Sequence, residues 1–172
     1  FQAVTEYKDW AELKRIASFY DYLEIQPLCN NAFMVREGKA RDEEELREFN
    51  RTIVRLGEEM GKPVCATGDV HFLDPEDEIY RHILLDTKKF PDCDQPLPIY
   101  FKTTDEMLEE FSYLGEEKAL EVVVTNPQAI AAMVETFDLL PKGKLSPPRL
   151  ENSEEDLNRL VWDKVHELYG EN

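Results

Sequence analysis

The sequence predicts a mixed α/β fold, with strands in the first half of the chain and a mainly helical extension in the second half. Three observations lead to this prediction. Near the start, an amphipathic helical pattern is followed by a strand-like run. A longer helical pattern is then followed by a tight turn and a short apolar run, the order of elements in an α/β unit. From Thr103 onward, the signals are those of helices alone.

The first helix and the first strand are predicted between residues 8 and 26. Four residues are spaced as on one face of a helix over residues 8–18: Trp10, Leu13, Ile16 and Ala17. The run Tyr20–Gln26 is typical of a strand, and Pro27 ends it. The chain therefore begins with a helix that leads into a strand.

A long helix is predicted to begin after Asp42, which we expect to be its N-cap in a capping box closed by Glu45. Its apolar stripe follows steps of three and four: Leu46, Phe49, Ile53, Leu56 and Met60. Gly61 suits the left-handed end of this helix, and Pro63 prevents its continuation. The next run, Val64–Thr67, is typical of a buried parallel strand.

The chain changes character after this unit. Asp74 and Pro75 predict the start of a further helix, which carries Ile79, Ile83 and Leu84. Residues 90–98 are broken by prolines, and this pattern predicts an irregular segment. We therefore expect a domain boundary there, with one domain over residues 1–98 and a helical connection over residues 99–172.

Three helix starts are predicted beyond this boundary. Thr103 and Glu106 form the pattern of a capping box, Asn126-Pro127 starts a second helix, and Ser153–Asp156 starts a third. Proline-rich and glycine-containing stretches at 141–144 and 146–148 predict a linker between the last two helices.

The bulk composition limits the class of protein. Hydrophobic residues make up 42% and charged residues 33% of the 172 positions, which suits one ordinary domain and is too polar for a membrane protein. Apolar runs fall short of the roughly 20 residues of a spanning helix, and the first residues lack a signal-peptide pattern. Because the chain opens on Phe1 rather than Met, we expect a piece of a longer protein.

Charge and cysteine content restrict the partners and the compartment. The 37 acidic and 20 basic side chains give a net charge of −17, which repels a phosphate backbone, so we expect this chain alone to bind nucleic acid poorly. The cysteines, Cys29, Cys65 and Cys93, are odd in number and widely spaced, which argues against a disulfide framework and a zinc knot. These features favour a cytoplasmic location.

Asp69 and His71 are the residues that most suggest chemistry. They stand two positions apart at the carboxyl end of the predicted strand 64–67, so in extended geometry both side chains would project to one face. A carboxylate with an imidazole suits zinc, manganese or iron, and α/β barrels place their active sites at the carboxyl ends of strands. The pattern is short, and the alternative is a histidine that hydrogen-bonds a loop carboxylate.

The sequence around this pair resembles a known family. The run Ala66–Asp77 (ATGDVHFLDPED), preceded by Tyr22–Pro27 (YLEIQP) and the long charged helix, resembles the polymerase-and-histidinol-phosphatase (PHP) domain. More narrowly, it is similar to the alpha subunit of bacterial DNA polymerase III of the PolC type. The similarity continues through Tyr100–Phe111 (YFKTTDEMLEEF) and Thr125–Pro127, so it covers most of the chain.

This resemblance implies part of a distorted, PHP-type α/β barrel, with a metal cluster built from histidines and carboxylates on several strands. Asp69 and His71 match the last ligand motif of that family. The first motif, a His-x-His, has no counterpart, because the histidines are His71, His82 and His166. We therefore expect an incomplete metal site in this chain, with zinc or manganese as its divalent metal and magnesium used for polymerisation by the parent.

Four further residues are expected to line the same site: Glu24, Gln26, Cys29 and Asn30. Glu24 and Gln26 alternate onto one face of their strand, although Glu24 could equally hydrogen-bond a neighbouring loop. Cys29 is a soft ligand or, more in keeping with its residue type, a packed thiol. His82 and His166 lie on helical faces and are not assigned to the site, and no catalytic residue is predicted.

Three functions follow from these features. By the resemblance, the parent is a replicative DNA-directed DNA polymerase whose exonuclease domain interrupts the PHP domain, with DNA, deoxynucleotides, replisome subunits and no membrane as partners. This chain would contact the rest of the polymerase and would not polymerise alone, because no aspartate pair has the context of a two-metal site. The alternatives are a PHP-type metal-dependent phosphoesterase and a structural PHP remnant that braces the polymerase.

Overall fold

The structure, a computed structural model, describes residues 1–90, 93–139, 143, 147–148 and 150–170. The chain divides into two compact units, residues 1–134 and residues 135–172. The predicted boundary at residues 98–99 concerns the domains of the parent and stays a prediction. Some residues of the predicted irregular segment and linker lie outside the described residues: Pro91, Asp92, Pro141, Lys142, Lys144 and Ser146.

The first unit is a mixed α/β structure, which confirms the broad fold class. Its elements are α1 (Gln2–Thr5), α2 (Trp10–Ala17), β1 (Leu23–Ile25), α3 (Phe33–Arg36), α4 (Glu43–Met60), β2 (Val64–Ala66), α5 (Glu78–Thr87), α6 (Thr104–Glu110), α7 (Glu116–Leu120) and α8 (Asn126–Ala132). The second unit contains α9 (Ser153–Tyr169). No helix within the described ranges is both long and apolar enough to span a membrane.

The two strands pair in parallel, and Leu23 is opposite Val64. A parallel pair needs a crossover connection, which here contains α3 and α4. β1 is shorter than predicted, and the Tyr20 backbone is engaged outside the ladder: its N–H donates to the Ala17 carbonyl and its carbonyl accepts from the Lys62 ammonium group. The sheet that the described residues form has two strands, and the PHP-type barrel stays a prediction.

α4 has the predicted apolar stripe and N-cap, but the predicted capping box is wrong. The Asp42 carboxylate accepts the Glu45 N–H at 2.9 Å. Glu45 does not return the bond to Asp42, because its buried carboxylate accepts the Arg41 N–H at 2.6 Å and the Tyr7 hydroxyl. These two contacts lower the pKa of Glu45, with the Tyr7 bond as the larger cause. At the other end, Gly61 has a φ of 62° and terminates the helix as predicted.

One hydrophobic core includes residues from both sides of residue 98. The apolar stripe of α4 packs in the same cluster as the later residues Met107, Phe111 and Val122. Phe111 and Val122 are completely buried. Asn50 is a buried polar side chain at this core. Its amide nitrogen is fully hydrogen-bonded, since it donates to the Gln26 carbonyl at 3.0 Å and to the Tyr113 hydroxyl at 2.8 Å. The helices from α6 to α8 therefore cover the sheet and α4.

The predicted helix at Asn126-Pro127 is present, but it continues from α7 without a break. Glu121–Thr125 forms a π-helical turn that joins α7 to α8. Pro127 lacks an N–H, and its ring would clash with the carbonyl four residues earlier in a regular helix, so the wider turn accommodates it. Asn126 also donates its side-chain amide to the Val64 carbonyl at 2.8 Å, which ties this helical run to β2.

α5 forms as predicted but leaves its apolar residues in solvent. Asp74 and Asp77 make a capping box in the turn that precedes the helix. Ile79, Ile83 and Leu84 are between 55% and 64% exposed. The opposite side of α5 faces the following loop, where the Glu78 carboxylate accepts the Leu97 N–H. In α9, the apolar residues Leu157, Leu160, Val161, Trp162 and Leu168 are likewise exposed.

Replacing Gly57 with alanine should destabilise this unit, although glycine-to-alanine changes in helix interiors usually stabilise by up to about 1 kcal/mol. An added Cβ would lie 2.9 Å from the Lys62 carbonyl oxygen and still closer to Val64. We expect overpacking to lower the free energy of unfolding by about 1–3 kcal/mol, measured by urea denaturation. Thr52→Ala, in the same helix, is the control and should be near neutral. Equal or greater stability of Gly57→Ala would contradict this packing.

Candidate metal-binding loop

The segment 67–71, hereafter the 67–71 loop, leaves β2 at its carboxyl end. The Thr67 N–H donates to the Ile25 carbonyl at 3.1 Å, so the ladder extends one residue past the strand. Asp69 then has a φ of 48°, in the left-handed region that Asp tolerates better than most residues. The expected extended geometry of Asp69 and His71 is therefore wrong, whereas their role as metal ligands stays a prediction.

The His71 ring is oriented by the backbone of its own loop. Its Nδ1 atom lies 2.7 Å from the Asp69 carbonyl oxygen. Because a carbonyl can only accept, Nδ1 carries the proton in the neutral ring and Nε2 keeps its lone pair. The His71 N–H also donates to the Ile99 carbonyl at 2.9 Å, which fixes the end of the loop. This arrangement of a histidine, with one nitrogen held and the other free, is common among metal ligands.

The Asp69 carboxylate is accessible but does not chelate together with His71 in this arrangement. One carboxylate oxygen lies 4.0 Å from His71 Nδ1, the nitrogen that is already engaged by the backbone. The two side chains are about half exposed, 53% for Asp69 and 46% for His71. Both can therefore be reached by an ion or by another segment of protein.

Glu24 and Gln26, which were expected to line the site, lie beside the start of the loop. The Glu24 carboxylate accepts the Thr67 hydroxyl, which is the bond to a neighbouring loop that the sequence left open as an alternative. The Gln26 amide lies 3.4 Å from the same carboxylate, a weak contact. A ligand role for either side chain stays a prediction.

Cys29 and Asn30 follow β1 in a 3₁₀ turn (Leu28–Asn31), and Asn30 reaches the loop. The Asn30 amide nitrogen donates to the Gly68 carbonyl at 3.1 Å. The Cys29 thiol lies 3.3 Å from the Asn30 amide oxygen. Burial raises the pKa of Cys29, so the thiol keeps its proton at neutral pH and is a donor rather than a thiolate ligand.

Three consecutive residues of the loop are thus held by side chains. Thr67 bonds Glu24, Gly68 accepts from Asn30, and Asp69 accepts from His71. Sequence reasoning did not assign Thr67 or Gly68 to the site. Their position directly after a buried strand was the available signal, since this is where α/β folds concentrate functional loops.

The metal site at this loop, and its expected incompleteness, stay predictions. Among the described residues, no group of three or more His, Cys, Asp or Glu side chains is close enough together to hold a metal ion. The donor types at Asp69 and His71 fit zinc or manganese. Whether the pair binds a metal ion stays a prediction.

The other two histidines lie apart from this loop in the sequence. His82, in α5, is 3.5 Å from the Glu78 carboxylate one helical turn earlier. His166, in α9, is exposed and its ring lies 6.1 Å from that of Trp162. The contact of His82 with Glu78 lies within the helical run of α5, and neither histidine was assigned to the predicted metal site.

The isolated chain should bind zinc or manganese only weakly. Complete structural zinc sites contribute roughly 10–16 kcal/mol, whereas two exposed donors lack the remaining coordination. Isothermal titration calorimetry should therefore show weak heat that disappears in the Asp69→Ala, His71→Ala double variant. Tight stoichiometric binding by the unmodified chain would contradict the incompleteness of the site.

Comparison with known proteins shows which proteins this sequence is similar to. No family model matches the chain. It is 54% identical over 172 residues to DNA polymerase III PolC-type of Clostridium perfringens, 50% over 171 residues to that of Caldanaerobacter subterraneus subsp. tengcongensis, and 45% over 164 residues to that of Bacillus subtilis.

These alignments cover 100%, 99% and 93% of the chain, but only 12%, 12% and 11% of the respective relatives. The chain thus spans about one eighth of the length of the curated relatives that it matches. The resemblance to PolC-type polymerases that was predicted from the sequence is confirmed. Over its whole length, this chain is similar to one segment of the DNA polymerase III PolC-type proteins.

Proposed function

We propose that this chain acts as part of a replicative DNA-directed DNA polymerase of the PolC type, in which it supplies part of a PHP metal site and the helices that lead toward the polymerase core. The observation that carries the proposal is the similarity of 41–54% identity along the chain to proteins that are all named DNA polymerase III PolC-type. The activity belongs to the parent. DNA, deoxynucleotides and other replisome subunits are its proposed partners.

The chain is not proposed to polymerise DNA on its own. Polymerisation requires a carboxylate cluster that holds two metal ions, with magnesium as the proposed metal in the parent. The described residues contain no cluster of this kind. The net charge of −17 also opposes contact with a phosphate backbone, so DNA contacts are proposed for other parts of the parent.

The open edge of β1 supports the proposal that the sheet is part of a larger barrel. The Leu23 N–H donates to the Pro63 carbonyl, and the Ile25 carbonyl accepts the Thr67 N–H. Because alternate residues of a parallel strand face the partner strand, the N–H and C=O of Glu24 point to the opposite edge. Neither group has a hydrogen-bond partner within the described part of the chain.

The two edges of this sheet differ. On the β2 side, the Val64 carbonyl accepts the Asn126 side-chain amide, so the α7–α8 helical run occupies that edge. Apolar residues that shortly precede β1 in the chain are exposed: Phe19, Tyr20 and Tyr22. Parallel sheets are normally buried, and a two-stranded parallel sheet is unusual by itself. We propose that a further strand of the parent pairs with β1.

In the parent, the Asp69 carboxylate and His71 Nε2 would hold a zinc or manganese ion together with ligands from other strands. A metal at this position would either activate water or stabilise the fold. The contribution of this chain is to present the two donors. The Asp69 carbonyl holds the His71 proton on Nδ1, and the exposure of both side chains keeps them accessible.

Alanine substitutions of Asp69 and His71 in the full-length parent test this proposal. We expect each variant to lose bound zinc or manganese, measured by plasma emission spectrometry, because each removes one ligand. Template-directed nucleotide incorporation should be largely retained, since the polymerase metals are held elsewhere. His166→Ala, which removes an exposed histidine far along the chain, is the control and should keep its metal.

The phosphoesterase and nuclease activities of these variants, together with their melting temperatures, distinguish a catalytic PHP site from a structural one. Loss of phosphoesterase or nuclease activity together with the metal would favour a catalytic PHP site. A lower melting temperature with unaltered chemistry would favour a structural one. Unchanged metal content in both variants would refute the assignment of Asp69 and His71.

A further inference from the structure

We infer that Asn30 is a positioning residue for the proposed metal ligands, and that it acts by fixing the Gly68–Asp69 peptide from which both ligands are presented. The inference rests on the proposed metal role of Asp69 and His71. Asn30 does not coordinate the ion itself, because both ends of its amide are already engaged by the protein.

The geometry at Asn30 sets its amide in one orientation. The amide nitrogen donates to the Gly68 carbonyl at 3.1 Å, and the amide oxygen lies 3.3 Å from the Cys29 thiol. Since a protonated thiol donates and a carbonyl accepts, the two contacts require the same orientation of the amide. Asn30 also links the segment after β1 to the segment after β2, 38 positions apart in the sequence.

The Gly68 carbonyl is the point at which the loop changes direction. Asp69, the next residue, has a φ of 48°, a left-handed conformation that Asp tolerates better than most L-residues but that still costs free energy unless surrounding contacts support it. The Gly68–Asp69 peptide and the Asp69 φ are coupled, and a change in that φ would move both the Asp69 side chain and the Asp69 carbonyl that holds His71 Nδ1. One hydrogen bond from Asn30 therefore acts on both ligands.

The chain offers a matched control for this bond. Asn30→Asp keeps the size of the side chain but replaces the donor with an acceptor, which would face the Gly68 carbonyl and repel it. Asn31 lies in the same 3₁₀ turn, and its side chain makes no hydrogen bond within the described residues. Asn31→Asp makes the same change in charge without breaking the bond. Cys29→Ser retains a donor toward Asn30 and is the conservative variant.

The first measurement is metal retention by the full-length parent against a competing chelator. Mutation of a residue that hydrogen-bonds and orients a metal ligand typically lowers metal affinity by about 10- to 100-fold. We therefore expect Asn30→Asp to lower zinc affinity by at least about tenfold, whereas Asn31→Asp and Cys29→Ser should retain it. Melting temperatures of the three variants, measured without added metal, show whether the loss arises from general unfolding.

The second measurement reports the tautomer of the His71 ring and does not require a bound metal. The ¹⁵N chemical shifts of the His71 ring in the isolated chain, at a pH where the ring is neutral, report its tautomer. We expect a proton held on Nδ1 in the unmodified chain and in Asn31→Asp. In Asn30→Asp, the shifts should move toward the mixture of an unconstrained exposed histidine.

The outcomes distinguish this inference from the proposed function. If Asp69→Ala and His71→Ala abolish metal binding but Asn30→Asp matches Asn31→Asp, the positioning role is wrong and the metal site stands. If the alanine variants keep their metal, the proposed site is wrong, and the tautomer alone decides whether Asn30 positions the loop. An unchanged His71 tautomer in Asn30→Asp would overturn the inference.

Discussion

The parallel pairing of β1 with β2 is the interaction on which the rest of this structure depends. Only three residues of each strand take part, yet the pairing brings together two segments that are about 40 positions apart. α4 makes this possible, because its stripe packs on the strands while its caps return the chain to the start of β2. The carboxyl ends of both strands then lie side by side, with Glu24 and Asn30 beside the 67–71 loop.

The small size of this sheet also fits the proposal that the chain is one part of a longer protein. A short parallel sheet buries little by itself, and here one of its edges is covered by a helix while the other is open. The loop at its carboxyl end carries Asp69 and His71, and no group of three such side chains that could hold a metal ion occurs among the described residues. Exposed apolar residues on α5 and α9 fit the same description, since such surfaces mark contacts with other protein. Further residues of a longer polypeptide could pair with the sheet edge, supply metal ligands and cover the exposed apolar residues.

Sequence patterns predicted the elements whose signals are local. The stripe and the terminal Gly61 of α4, the capping box at Thr103 and the short buried strand β2 all depend on neighbouring residues, and they are present. The departures arise from contacts between distant segments. Glu45 leaves its predicted capping box because Tyr7 and Arg41 compete for its carboxylate. No pattern within the α4 sequence could indicate that competition.

The candidate site shows the same division. The motif led correctly to a loop at the end of β2, but the alternation of side chains along a strand could not predict the left-handed conformation of Asp69. The exposure of Ile79 and Ile83 was likewise not predictable, because these residues share a helical face with the spacing of core residues. Periodicity predicts that such an apolar face packs against other protein, but it does not indicate whether that protein surface lies within this chain.

The proposed incorporation of this sheet into a larger barrel is tested most directly by residue-resolved hydrogen exchange of the Glu24 amide, in the isolated chain and in the full-length parent. The Ile25 amide is the internal reference, since alternation directs it toward β2 in either state. The account predicts rapid exchange of Glu24 in the isolated chain and strong protection in the parent, with Ile25 protected in both. Equal exchange of Glu24 in the two proteins would contradict it.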